Sequence, residues 1–351
     1  MSEDWIVKAC PPVSSEHAAA AAARQNALTK PPGSLGVVET LAIRLAGLQT
    51  TDRPRADNVP IILFAGDHGI TAQSVSAYPS AVTVQMLHNF ARGGAAIAVL
   101  ARQLGVPLQV VDAGTLATSE IAGVVSDKPR HGTRDFSQEP AMTSDEVAFA
   151  FAAGRRAIER AAQGADAVIL GEMGIGNTTA AAAVAAALIG APANELVGAG
   201  TGLDTQGMRH KARVITEALS THELGEPDVL AVDVVQRVGG LEIAALVGAM
   251  IAAAQNRIPI LVDGFIVSVA ALAAVRLNPS CAPWLLYSHR SLEAGHRLVL
   301  DALGAEPILD LKLRLGEGSG AALALPILRL ACALHAHMAT FEEAQVSGRT
   351  P

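Results

Sequence analysis

The sequence predicts an α/β fold, a parallel sheet flanked by helices, with a small helical domain drawn from both ends of the chain. Short apolar runs at residues 59–65, 108–111, 167–170 and 258–262 each end in a glycine or acidic turn (GDHG, DAG, GEMG and DG), the pattern of strands buried on both faces. Longer helical stretches at 81–104, 144–163, 177–188 and 241–254 separate those runs, as crossover helices do. Hydrophobic residues make up 50% of the 351 positions but aromatics only 3%, so the core is built from Ala, Val, Leu and Ile. Alanine-rich helices lying close on a sheet suit that composition.

Residues 284–287, before SHRS, read as a further strand, 307–311 as a weaker one, and 228–235 fits strand or helix. The most membrane-like run, 258–275, carries Pro259, Asp263 and Gly264 near its start and is short for a span, so a buried strand turning into a helix fits it better. Residues 1–30 and 318–341 are alanine-rich helical patterns outside the alternation. They are expected to form the small helical domain (1–49 plus 311–351) beside a large nucleotide-binding domain at 50–310. Residues 50–60, with Pro54 and Pro60, read as the exposed connection, and no internal repeat is visible.

With 26 basic against 33 acidic residues and a net charge of −7, the chain carries no broad positive field, so neither nucleic acid nor a membrane surface is expected as a partner. Cys10, Cys281 and Cys332 have no metal-ligand or disulfide-framework spacing, and the N-terminus shows no long apolar segment. A cytoplasmic protein without metal or cofactor is the expectation.

In a parallel sheet ligands bind beyond the carboxyl ends of the strands, and the glycine-rich strings fall there. Glu172 lies in GEMGIGNTT (171–179) and Glu317 in GEGSGA (316–321). Glycine lets backbone approach a ligand closely, so carboxylates with such neighbours are placed for chemistry rather than solubility. In the first string Gly174 and Gly176 lead to Asn177, Thr178 and Thr179 heading an alanine helix, whose free amides and hydroxyls suit a single phosphate or simply cap the turn. Asn177 stands where a P-loop has lysine, which argues against triphosphate hydrolysis. VGAGTGLD (197–204) is a second such turn, with Lys211 and Arg213 beyond it as phosphate countercharges or solvated helix positions.

Asp67 and His68 in FAGDHGI (64–70) have no further ligands beside them in sequence, so a hydrogen-bonded turn fits better than a divalent metal site. Tyr78, Ser80, Gln85 and Met86 suit a flat heterocycle, or form only a loop and helix start. Asp263 and Gly264 sit at a strand end, where the aspartate accepts from ribose hydroxyls or caps the following helix; Ser288 to Ser291 add polar groups at another. Glu317 precedes an apolar helix: a carboxylate in a partly apolar pocket gains proton affinity and can act as a general base, whereas at a plain helix start it is only dipole-stabilised.

Taken in order, KPPGSLG (30–36), FAGDHGI, YPSAVTVQM, GEMGIGNTT, GTGLD, VGGLEIAA (238–245), VDGFI, SHRS and LRLGEGSGAA resemble the nicotinate-nucleotide:dimethylbenzimidazole phosphoribosyltransferase family over nearly the whole chain. The resemblance implies a Rossmann-like parallel sheet with a small helical domain, a homodimer, no metal, and small-molecule substrates. The expected reaction moves phosphoribose from nicotinate mononucleotide to a benzimidazole-type base, 5,6-dimethylbenzimidazole, with inversion at C1′. It implies Glu317 as the base and Glu172 as a supporting carboxylate. The phosphate is expected at Gly174, Gly176, Asn177, Thr178 and Thr179, and the benzimidazole beside Tyr78, Ser80, Gln85, Met86 and Leu315. Asp263, Gly264 and Ser291 are expected nucleotide contacts. A different acceptor base, or a nucleotide sensor that needs no general base, are the competing readings.

Overall fold

A computed structural model describes residues 3–200, 202–225 and 229–347. Thr201 of the GTGLD string, Asp228 at the start of 228–235, and the outermost positions of both small-domain segments lie outside these residues. Helices α1 (Ser15–Ala27) and α2 (Val37–Gln49) precede strand β1 (Ile61–Gly66). Helices α3 (Ala81–Ala91) and α4 (Ala96–Leu104) cross to β2 (Leu108–Gly114), which is followed by β3 (Val124–Ser126); α5 (Ser144–Ala161) then returns the chain to β4 (Val168–Met173). The segment α6 (Asn177–Ile189), α7 (Ala193–Leu196), α8 (Thr205–Thr221), α9 (Ala231–Val238) and α10 (Leu241–Gln255) leads to β5 (Ile260–Val262). Helix α11 (Phe265–Leu277) connects to β6 (Leu285–Tyr287), and α12 (His296–Leu303) and α13 (Ser319–His337) follow.

The strands form one six-stranded sheet, ordered β3-β2-β1-β4-β5-β6, with every neighbouring pair parallel. Right-handed crossovers put α3 and α4 on one face and α5, α10 and α11, which run the other way across the sheet, on the opposite face. The direction of winding reverses between β1 and β4, so their C-terminal loops part and open a crevice. Strands β1, β5 and β6 are buried at every position, which is why their sequences are continuous apolar runs.

Several elements differ from the sequence expectation. The 81–104 stretch is two helices, because Gly93 takes a left-handed φ of +78° and ends the first. Residues 307–311 contribute only an isolated parallel bridge from Leu309 to His289. The described part of 228–235 opens a helix, not a strand. Strand β3 has no counterpart in the sequence reading; it is three half-exposed residues at the sheet edge, too short for any periodicity. Segment 258–275 is β5 running into the buried helix α11. Among the described residues the helix long and apolar enough to cross a membrane is instead α13, and 56% of its apolar window is buried inside the protein.

Helices α1, α2 and α13, from opposite ends of the chain, pack together. Arg24 Nε donates to the His335 carbonyl at 2.7 Å, and Leu28 and Thr340 form an antiparallel bridge. Helix α13 also packs on α4 and β4, so the residues just before it are carried to the sheet.

A core nearly without aromatics is filled by bringing backbones together. At the α5–α10 contact a Cβ on Gly154 would overlap the Ala245 carbonyl, and one on Gly248 would overlap that of Phe151. Substituting Gly248→Ala therefore forces two buried helices apart. It should cost about 1–3 kcal/mol or more, read as a lower urea midpoint at unchanged m-value; an unchanged midpoint would show the contact can relax freely.

Candidate active site

A cleft of about 240 Å³ opens at the C-terminal ends of β4, β5 and β6, lined by Tyr78, Glu172, Gly174, Asn177, Thr178, Asp263, Gly264, Ser291 and Leu315 among others. Ser80, Gln85, Met86, Gly176, Thr179 and the Glu317 side chain lie outside that lining. Gly176 caps α6 in a left-handed conformation with φ +97°, Thr179 is fully buried in the first turn of α6, and Ser80, Gln85 and Met86 belong to the start of α3.

Glu172 sits in β4 beside Phe64 of β1 and is buried. Asn177 Nδ2 donates to its Oε2. On the other side the carboxylate packs against Gly316, where a Cβ would collide with Oε1. Burial first, then the negative charges of Asp263, Glu242 and Glu317, pushes the Glu172 carboxyl well above the usual carboxylate range, so its protonated form is favoured.

Glu317 occupies a left-handed conformation, φ +62°, between Gly316 at +88° and Gly318 at +82°. A non-glycine residue there is held at a cost of order 1–3 kcal/mol and persists only where its surroundings fix it. The fixing group is Asp263. Its carboxylate accepts from Gly318 N at 3.1 Å and Ala321 N at 2.9 Å, so the aspartate caps α13 rather than the helix that follows it in sequence, which starts at Gly264 without a side-chain cap. Gly171 completes the seat, since a Cβ there would run into the Glu317 carbonyl. The Glu317 carboxylate accepts from Ile97 N, in the first turn of α4, at 3.3 Å. Burial raises its pKa, and the bond from Ile97 opposes the rise.

At the other end of the cleft Thr178 Oγ1 accepts from Lys211 Nζ at 2.7 Å, and Arg314 Nη1 donates to the Gly200 carbonyl at 3.1 Å. Lys211 is 1% exposed. Burial pushes its ammonium down to about 8, against the pull of Glu293. Arg213 instead lies exposed on α8 beside His210 and Glu217, the solvated alternative. Ser291 is locked by its N–H donating to His296 Nδ1 at 2.8 Å. Burial pushes that imidazole down to about 3, so it is neutral with its proton on Nε2, facing Ser268 Oγ at 3.0 Å.

The Asp67–His68 turn is hydrogen bonded: Leu116 N donates to Asp67 Oδ2 at 2.8 Å, and His68 Nε2 meets Glu242 Oε1 at 2.8 Å. Glu242, Arg314 and His296 carry no role in the sequence reading. Nothing in the adjacent sequence marks any of them; what singles each out is a neighbour distant in sequence.

The cleft thus has an end rich in amides and cations, suited to a phosphate, and an end lined by the buried carboxyls of Glu172 and Asp263. A family model described as "Phosphoribosyltransferase" matches residues 10–346. The nicotinate-nucleotide–dimethylbenzimidazole phosphoribosyltransferase of Bradyrhizobium sp. (strain ORS 278) is 63% identical over 350 residues, 99% of each chain. That of Pseudomonas aeruginosa is 56% identical over 351 residues, again covering 99% of both. The crystal structure of the Thermus thermophilus enzyme of that name superimposes with a TM-score of 0.90 at 43% identity, over 96% of this chain and 100% of the other. With its fold and nearly its whole length in common with these proteins, the chain belongs to the nicotinate-nucleotide–dimethylbenzimidazole phosphoribosyltransferase family and is an enzyme that transfers phosphoribose.

Proposed function

We propose that the enzyme transfers phosphoribose from nicotinate mononucleotide to 5,6-dimethylbenzimidazole with inversion at C1′. The products are α-ribazole 5′-phosphate and nicotinate, in nucleotide-loop assembly of cobalamin. The names of the relatives support the donor and acceptor. The observation that carries the mechanism is Glu317, a buried carboxyl of raised proton affinity held in a left-handed turn by Asp263.

One benzimidazole nitrogen attacks C1′ while Glu317 takes the proton from the other. The bond from C1′ to the nicotinate nitrogen breaks, and its electron pair neutralises the pyridinium. Attack opposite the leaving group inverts the centre in one displacement, without a covalent enzyme intermediate. Glu172, favoured in its protonated form, donates a hydrogen bond at the reacting centre. Two carboxyls with environments this different divide the work of base and donor.

In this reading Gly174, Gly176, Asn177, Thr178 and Thr179 form the phosphate turn, and Lys211 supplies its countercharge. Asp263, Gly264 and Ser291 face the nucleotide. Tyr78 and Leu315, 54% and 60% exposed, offer apolar surface for the flat base together with Ser80, Gln85 and Met86. The three scattered cysteines point to the cytoplasm, and the family resemblance to a homodimer acting on small molecules.

Purified protein given both substrates should yield a ribazole phosphate whose anomeric proton reports the α configuration in NMR. Replacing Glu317→Gln should lower kcat about 10²-fold or more; turnover like that of the wild type would remove Glu317 from the role of base. Because a base must be ionised, the rate should rise with pH through the raised Glu317 pKa, placing the acid limb of kcat/KM above the ordinary glutamate value of about 4.3.

Lys211 makes a separate prediction. Its ammonium loses charge as pH rises past about 8, so kcat/KM for the mononucleotide should fall there in the wild type. In Lys211→Met that alkaline loss should vanish and KM for the mononucleotide should rise about 10- to 100-fold, the range of a lost charged hydrogen bond.

A further inference from the structure

We propose that His68 and Glu242 act as one positioning couple that props the phosphate turn from beneath and acts on Glu172 through Asn177 and through the Glu242 carboxylate. Both residues are buried, at 2% and 0% exposure, and His68 Nε2 lies 2.8 Å from Glu242 Oε1. His68 comes from the loop after β1 and Glu242 from the first turn of α10, so the couple ties one wall of the crevice to the helix packed beneath the sheet.

The couple sits in a shell of glycines. A Cβ on Gly176 would lie 3.0 Å from His68 Cβ, and one on Gly174 would lie 3.4 Å from His68 Nε2. On the other side, a Cβ would fall 2.5 Å from Glu242 Oε2 at Gly66 and 2.8 Å from it at Gly240. The imidazole therefore fills the space directly under the turn that presents Gly174 to Asn177 to the cleft. Asn177 in turn donates to Glu172, so displacement of the couple reaches the carboxyl through one residue.

Packing alone does not explain a buried acid and imidazole here. His68 Nδ1 and Glu242 Oε2 have no protein partner among the described residues, and polar atoms in that position typically cost about 1–3 kcal/mol each. An apolar pair of the same shape would avoid that cost but would lose the charge of Glu242. That charge, with those of Asp263 and Glu317, adds to burial in favouring the protonated form of Glu172, against a backbone hydrogen bond involving Glu317. The titratable groups around the couple are Asp67 on its own loop, Glu172 from β4, Asp263 beyond β5 with its neighbour His289 beyond β6, and Glu317 before α13. Only Glu242 among the added acids is held by a residue of the β1 loop.

The kinetic side of this inference rests on the proposed transfer reaction, so the deciding readout is independent of turnover. Glutamate labelled with ¹³C at Cδ, introduced into the substrate-free full-length protein, reports the Glu172 titration directly. Glu242→Gln keeps the shape and a hydrogen bond to His68 but removes the charge. The Glu172 midpoint should then fall by about one pH unit or more, and loss of kcat at high pH should begin correspondingly lower, with far-UV circular dichroism unchanged. An unmoved Glu172 midpoint in a folded variant overturns the inference, whether or not the enzyme turns over. Should Glu242→Gln fail to fold, His68→Gln serves: its amide reaches the Nε2 position and preserves the bond to Glu242 while removing the ring beneath the glycines. There the Glu172 midpoint should stay and KM for the mononucleotide should rise about 10-fold; an unchanged KM removes the propping role. A wild type that makes no ribazole phosphate, yet shows the midpoint shift in Glu242→Gln, sinks the proposed function and leaves the couple standing.

Discussion

The site depends on two hydrogen bonds to one carboxylate. Asp263, at the end of β5, accepts from Gly318 N and Ala321 N at the start of α13. Those bonds join the sheet to a helix that follows more than fifty residues later in sequence, and they hold Glu317 in a conformation that L-residues avoid. Without them the turn would relax, and the carboxyl of Glu317 would leave the first turn of α4. The buried aspartate is itself satisfied by the same two amides, so one interaction solves the desolvation of Asp263 and the strain of Glu317 together.

That arrangement needs a rigid frame, and alanine and glycine supply it. Where α5 crosses α10 the contact is backbone against backbone, and Gly171 does the same for Glu317 on β4. Small residues lose little side-chain entropy on burial, and close contact leaves few voids to collapse into. The consequence for the cleft is that its walls are main chain: the phosphate turn, the Gly316–Gly318 loop and Gly264 present amides whose positions do not depend on rotamers.

Legibility in the sequence followed the range of the interaction. Strands β1, β4, β5 and β6 carry apolar runs ending in glycine or polar turns, and β2 one broken only by Gln109, so their presence could be read locally, while β3 is too short to leave a pattern. Helices α3 and α4 merged because a single glycine within an apolar pattern does not announce its left-handed φ. In the cleft, Glu172 and Glu317 stood out because their glycine neighbours are adjacent in sequence. Lys211 could be noted but not separated from Arg213, since only the fold buries one beside Thr178 and exposes the other. Asp263 was visible as a polar strand end, yet its partners lie on α13. Glu242 was invisible as a functional residue, because an acid in the first turn of a helix is an ordinary dipole partner until His68 and Glu172 are placed around it.

Gathering Glu172, Glu242, Asp263 and Glu317 in one buried region is unfavourable unless each has a different means of relief. Asp263 has two backbone donors, Glu242 has His68, Glu317 has Ile97 N, and Glu172 has Asn177. The relief is unequal: three of the four are matched to backbone amides or an imidazole within the scaffold, and the burden of the shared negative field falls on Glu172, more deeply desolvated than Glu317. An acid that takes up a proton under that field lowers the repulsion felt by its neighbours. Glu317 can then remain ionised at a pH where two adjacent anions would not coexist, which is the condition a base beside a second carboxyl has to meet.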